Sequence, residues 1–81
     1  MDNPVTPSFF DLEFKNSVAI MEFDNRYKMT VIKNHSESFD VQVLNTLSNT
    51  TEGLFEDVPY DDVDVMIEYL FGLKEPLRVL H

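Results

Sequence analysis

The sequence predicts an α+β fold in which an antiparallel β-meander of three to five strands packs one face against a single C-terminal helix. Residues 27–33 and 39–45 alternate apolar and polar side chains with the period of two that half-buried strands show. Residues 60–71 instead carry apolar side chains at helical spacing. Strands followed by one helix are typical of an α+β domain.

We expect residues 1–81 to form one small domain that begins with an extended arm over residues 1–8. Pro4 and Pro7 disfavour a helix there, because proline lacks a donor and restricts the residue before it. In residues 9–14, Phe10, Leu12 and Phe14 alternate with acidic residues. This alternation predicts a first strand.

The strongest local prediction is a hairpin formed by residues 17–23 and 27–33. Residues 17–23 carry apolar side chains on both faces, namely Val18, Ala19, Ile20, Met21 and Phe23, which favours a central strand that is covered on both faces. Asp24 and Asn25 follow, and both residue types tolerate the left-handed conformations that tight turns need.

Further along the chain, the pattern predicts a polar loop, a strand and a second loop. Residues 34–38 are polar, and Phe39, Val41 and Val43 then alternate with polar residues. Residues 46–53 are rich in Thr, Ser and Asn and predict a turn, after which residues 54–56 form a short strand. The predicted meander therefore covers residues 9–56.

The helix is predicted to begin after Pro59 and to cover residues 60–71. Asp61 or Asp62 is expected to cap the first turn, and Gly72 to end the helix in a left-handed conformation. One apolar stripe should lie on the sheet, consisting of Val63, Met66, Ile67, Leu70 and Phe71. The tail, residues 73–81, includes Leu77, Val79 and Leu80 and is expected to pack back or to add an edge strand.

Charge is distributed unevenly along the chain, whose formal net charge is −9. Between Lys33 and Lys74 there is no Lys or Arg, while nine acidic residues occur there. Binding of phosphate groups requires basic side chains that replace condensed counterions. The sequence therefore argues against direct binding of nucleic acid or of anionic membrane surfaces.

Composition indicates a cytoplasmic protein. The first residues lack the basic start and the apolar run of a secretory signal, and no stretch has the roughly 18 apolar residues of a membrane span. There is no cysteine for a disulfide.

The sequence predicts no enzyme, no cofactor and no metal site. It contains no phosphate-binding glycine loop, nucleophile motif or zinc motif, and its motifs resemble no family. His35 and His81 are expected to be a solvated loop residue and a chain end. The acidic run over residues 56–64 lacks the glycine and the ligand spacing of a calcium loop.

Two hypotheses for function follow. In the first, residues 52–68 dock on a basic surface of a macromolecular partner, with Tyr60 or Tyr69 as an exposed anchor. A more specific version of this hypothesis is that the protein is a phage-type inhibitor or a nucleic-acid mimic. The candidate binding residues are Glu56, Asp57, Tyr60, Asp61, Asp62, Asp64 and Glu68. In the second, the protein is a structural homodimer with paired edge strands, and the acidic residues are only its solvated exterior.

Overall fold

A four-stranded antiparallel sheet followed by one helix forms the described part of the chain. The computed structural model describes residues 6–34 and 37–74. Its elements are a 3₁₀ helix (Phe9–Asp11), β1 (Val18–Glu22), β2 (Tyr27–Lys33), β3 (Phe39–Asn45), β4 (Thr50–Val58) and α1 (Tyr60–Phe71). The strands lie in the order β1-β2-β3-β4. The predicted meander with a C-terminal helix is confirmed, and the bounds of α1 match the prediction.

The core lies between one face of the sheet and the apolar stripe of α1. Strand β3 alternates buried and half-buried side chains along its whole length, as its sequence pattern predicts. The buried apolar side chains of this layer are Met29, Val31, Phe39, Val41, Val43, Val63, Ile67 and Leu70. No described helix covers the opposite face, where Ile20 is 56% and Leu54 is 72% exposed.

The prediction that the first strand of the hairpin is central and doubly covered is wrong. Within residues 6–34 and 37–74, β1 is an edge strand whose neighbour in the sheet is β2. Ala19 is buried on the helix side, whereas Ile20 points to the open face. Apolar residues therefore occupy both faces of β1, although the described residues cover only one of these faces.

Residues 9–14 do not form the predicted first strand. Ser8 and Asp11 form a capping box around a 3₁₀ turn, with the Ser8 amide donating to Asp11 Oδ2 at 2.7 Å. Phe9, Leu12 and Phe14 pack against the core, while Phe10 is 84% exposed. The spacing of three between Phe9 and Leu12 suits a helical turn better than the alternation on which the strand prediction rested.

The β3–β4 connection is shorter than predicted, because β4 begins at Thr50 rather than after Gly53. Asn45 closes the turn: its Oδ1 accepts hydrogen bonds from the amides of Leu47 at 3.0 Å and Ser48 at 3.3 Å. Such a turn needs few residues, since one side chain satisfies two backbone donors. The strand predicted over residues 54–56 is the middle of a nine-residue strand.

The first turn of α1 is not capped by a side chain, contrary to the prediction for Asp61 and Asp62. Pro59 is the N-cap residue, and its carbonyl accepts from the amides of Asp62 at 3.0 Å and Val63 at 3.1 Å. Asp61 and Asp62 lie inside the first turn, where their charges favour the positive end of the helix dipole without a capping hydrogen bond.

The end of α1 is capped from the first hairpin rather than by a left-handed glycine. Gly72 has right-handed helical angles, with φ −85° and ψ −6°. Asn25 Nδ2 donates to the carbonyls of Leu70 at 2.6 Å and Leu73 at 2.7 Å. Asn25 thus supplies a donor to each of these carbonyls, and the Leu70 carbonyl also accepts from the Leu73 amide at 3.2 Å, so the chain does not need a left-handed residue at this end.

We expect Asn25→Ala to lower the free energy of unfolding by about 1–2 kcal/mol, because it leaves the Leu70 and Leu73 carbonyls without these donors. Urea unfolding followed by circular dichroism measures the change. Asp24→Ala, in the same turn and exposed, is the matched control and should change the midpoint little. Equal effects of the two substitutions would contradict the capping role.

Three regions covered by sequence-based predictions lie outside the residues that the structure describes. Residues 1–5 of the arm, His35, His81 and the tail residues Leu77, Val79 and Leu80 are outside residues 6–34 and 37–74. Within those two ranges, no helix has the length and apolar character needed to cross a membrane.

Candidate functional site on β4 and α1

The seven candidate binding residues lie on two consecutive elements, β4 and α1. Glu56 and Asp57 are near the end of β4, and the others lie on α1. Most are exposed, and none forms an ion pair within residues 6–34 and 37–74. Among the described residues, no basic side chain neutralises the charge of this surface.

Asp61, Val65, Glu68 and Tyr69 form the solvent-facing stripe of α1. They are separated by four, three and one residues, so they share the side of the helix opposite Val63 and Ile67. Val65 is 63% and Tyr69 is 66% exposed. Acidic groups and large apolar groups thus alternate on one accessible face.

Asp57 forms hydrogen bonds with other segments of the fold. It adopts a positive φ of 54° in β4, and its amide donates to Asp40 Oδ1 at 3.2 Å. Its Oδ1 accepts from Asn34 Nδ2 at 3.2 Å and Ser38 Oγ at 3.4 Å. These hydrogen bonds link both ends of the β2–β3 connection to β4, so Asp57 is a structural residue rather than a free docking group.

Asp64 also has an intramolecular role. Its Oδ1 accepts a hydrogen bond of 2.7 Å from the amide of Phe9, and the residue is half-buried. This contact fixes the 3₁₀ turn against α1 and satisfies an amide at the start of that turn. The exposed carboxylates that remain from the predicted set are Glu56, Asp61, Asp62 and Glu68.

Tyr60 belongs to an aromatic cluster as well as to the acidic surface. Its ring lies 5.8 Å from that of Phe9, which in turn lies 5.2 Å from that of Phe39. Tyr60 is nevertheless 51% exposed. The Tyr60 ring packs against the aromatic cluster on one side and is exposed to solvent on the other.

Comparisons with known proteins give no match. This holds for protein-family models, for curated proteins and for solved structures. Within residues 6–34 and 37–74, no group of three histidine or acidic side chains is arranged to hold a metal ion.

A cleft between β4 and α1 is the feature that the sequence did not predict. It has a volume of about 350 Å³. We call it the β4–α1 cleft, and its lining consists of Tyr27, Val43, Glu52, Gly53, Phe55, Met66, Tyr69, Leu70 and Leu73.

Gly53 and Phe55 shape the strand side of this cleft. A Cβ on Gly53 would lie 2.7 Å from Phe55 Cε2, so the Phe55 ring leans back over the glycine. The Phe55 side chain is 46% exposed at the cleft. A glycine within a strand, followed two residues later by an aromatic residue, was the available signal.

Proposed function

We propose that the protein is a non-enzymatic interaction module whose acidic surface docks on a basic surface of a macromolecular partner. The observation that carries this proposal is the group of exposed carboxylates on β4 and α1, which form no ion pair within residues 6–34 and 37–74 and are interspersed with exposed apolar side chains. Complementary charge would steer the partner and fix its orientation, and the apolar groups would supply desolvated contact. We place this activity in the cytoplasm.

We restrict the proposed docking surface to candidate residues without a hydrogen bond to another segment of the fold. Glu56, Asp61, Asp62 and Glu68 offer charge, and Tyr60 and Tyr69 offer aromatic surface. Asp57 and Asp64 instead hold neighbouring segments in place. In the sharper form of the proposal, the four free carboxylates occupy positions that phosphates would take, and the protein inhibits a nucleic-acid-binding partner by mimicry.

The test removes these four charges together. The variant Glu56→Gln, Asp61→Asn, Asp62→Asn, Glu68→Gln should bind a nonapeptide of alternating Gly and Lys about tenfold more weakly than the natural chain does. Titration at 20 mM salt measures the affinity, and titrations over a series of salt concentrations measure the electrostatic contribution to the binding free energy.

A control variant with the same net charge separates a local surface from bulk charge. Glu13→Gln, Glu22→Gln, Asp24→Asn, Glu37→Gln removes four exposed carboxylates outside β4 and α1. It should bind the peptide nearly as well as the natural chain does. Equal losses in both variants would show that only net charge acts, and the proposed docking surface would be wrong.

The second candidate function is a structural homodimer, and the outer edge of β4 favours it. Seven of the nine residues of β4 are exposed and none is buried, and among the described residues β4 pairs only with β3. Two irregularities of register and the charge of Glu56 oppose pairing with a second β4 edge. Sedimentation at micromolar concentration discriminates: a dimer supports this candidate, and a monomer removes it.

A further inference from the structure

The β4–α1 cleft has apolar walls that come from two elements. Phe55 lines it from β4 and Tyr69 from α1, while Val43 and Leu70 lie deeper. Its volume of about 350 Å³ is near the lower end of the roughly 300–1,000 Å³ of pockets that hold whole small molecules. A single long side chain from a partner fits this space.

One carboxylate accompanies these walls. Glu52 lines the cleft, and its Oε1 accepts a hydrogen bond of 3.4 Å from Asn45 Nδ2. Asn45 is only 6% exposed, and its Oδ1 is occupied by the amides of the following turn. The amide orientation of Asn45 therefore presents a donor to Glu52. Glu52 Oε2 accepts no hydrogen bond from residues 6–34 or 37–74.

This combination favours an occupant with an apolar stem and a cationic end. Glu52 is exposed, so a purely apolar side chain would gain nothing from its charge, and an anion would be repelled by it. Arginine satisfies both requirements, because its guanidinium stacks on aromatic rings and donates to a carboxylate through a planar fork. Lysine offers a more strongly hydrated point charge and no planar group to stack.

We propose that the β4–α1 cleft binds an arginine side chain of the basic partner, with its stem between Phe55 and Tyr69 and its guanidinium on Glu52. This inference deepens the proposed function and rests on it, because the acidic surface brings the basic segment to the cleft. The charge of that surface gives affinity for any basic segment, whereas the cleft adds a preference for arginine.

The experiment compares four nonapeptides of alternating Gly and Lys whose central residue is Lys, Arg, citrulline or Phe. Titrations at 20 mM salt should show that the Arg peptide binds roughly fivefold more tightly than the Lys peptide and than its neutral citrulline analogue. Amide chemical shifts in ¹⁵N spectra should change for Gly53, Phe55 and Leu70 with the Arg peptide.

Matched variants test whether the preference for arginine over lysine arises in the β4–α1 cleft. Glu52→Gln and Tyr69→Ala should each bring the ratio of Arg to Lys affinity close to one. Glu56→Gln, a neighbouring carboxylate outside the cleft lining, should weaken both peptides equally and leave the ratio unchanged. Leu54→Ala, on the open face of the sheet, should change neither affinity.

The outcomes separate this inference from the proposed function. Equal binding of the Arg and Lys peptides, a preference that survives Glu52→Gln and Tyr69→Ala, or tightest binding of the Phe peptide would each overturn the arginine site while the acidic docking surface remains. Absence of binding by every peptide at low salt would overturn both. A change in the sedimentation of the protein alone in Tyr69→Ala would assign the cleft to a second copy and also overturn the inference.

Discussion

Substitution of Ile67 by alanine is expected to unfold a large share of the protein at 25 °C. Ile67 is 0% exposed and lies in the centre of the helix stripe that covers the sheet. Removing a buried isoleucine side chain beyond Cβ costs about 2–5 kcal/mol, because apolar contacts are lost and a cavity remains. A core of this size supplies only about 3–5 kcal/mol of net stability. The expected loss of stability is therefore comparable to the whole free energy of unfolding.

Val65→Ala is the matched control for this expectation. Val65 lies on the same helix but is 63% exposed, so its truncation should change stability by less than about 0.5 kcal/mol. Urea titrations followed by far-ultraviolet circular dichroism compare the two variants with the natural chain. A loss below about 1 kcal/mol for Ile67→Ala would show that α1 contributes little to the core.

The elements that the sequence predicted well are those whose pattern is decided by burial on one side. Strand β3 alternates because its helix-facing side chains are buried, and α1 repeats Val63, Ile67 and Leu70 for the same reason. Each pattern extends over at least seven residues. Local periodicity therefore contained enough information to fix the element type and, for α1, its bounds.

Two of the failed local predictions involve partners that are distant in sequence. Gly72 needs no left-handed conformation because Asn25, 45 residues before Leu70, supplies donors to the helix end. The turn at Phe9 has a local signal, the Ser8–Asp11 capping box, and it is also held by Asp64, 55 residues from Phe9. Neighbouring residues reveal neither distant contact, and at residues 9–14 the strand prediction followed the alternation instead of the capping pair.

In the candidate site, too, some features follow from the local sequence and others depend on the folded structure. Charge composition alone indicated an acidic surface on β4 and α1, and exposed carboxylates are found there. Composition could not distinguish Asp57 and Asp64, which accept hydrogen bonds within the fold, from Glu56 and Glu68, which remain free. The β4–α1 cleft requires the packing angle of two elements, which no linear pattern specifies.

Phe39→Ala is expected to destabilise the protein by about 3–5 kcal/mol and to release the segment that precedes β1. Phe39 is 6% exposed, and its ring lies 5.2 Å from that of Phe9 and 5.8 Å from that of Phe14. It therefore joins the first residue of the 3₁₀ turn, the extended chain after it and the sheet.

Hydrogen exchange distinguishes release of this segment from a general loss of stability. In Phe39→Leu, which retains part of the buried side chain and should stay folded, the Leu12 amide should exchange faster than amides of β2, because its bond to the Phe9 carbonyl depends on the position of that ring. Phe10→Ala, at an 84% exposed neighbour, should change neither stability nor exchange appreciably. If Leu12 and β2 accelerate together in Phe39→Leu, the segment opens only with the whole fold. Asp64 would then be sufficient to hold the turn, since its hydrogen bond to the Phe9 amide does not require the Phe39 ring.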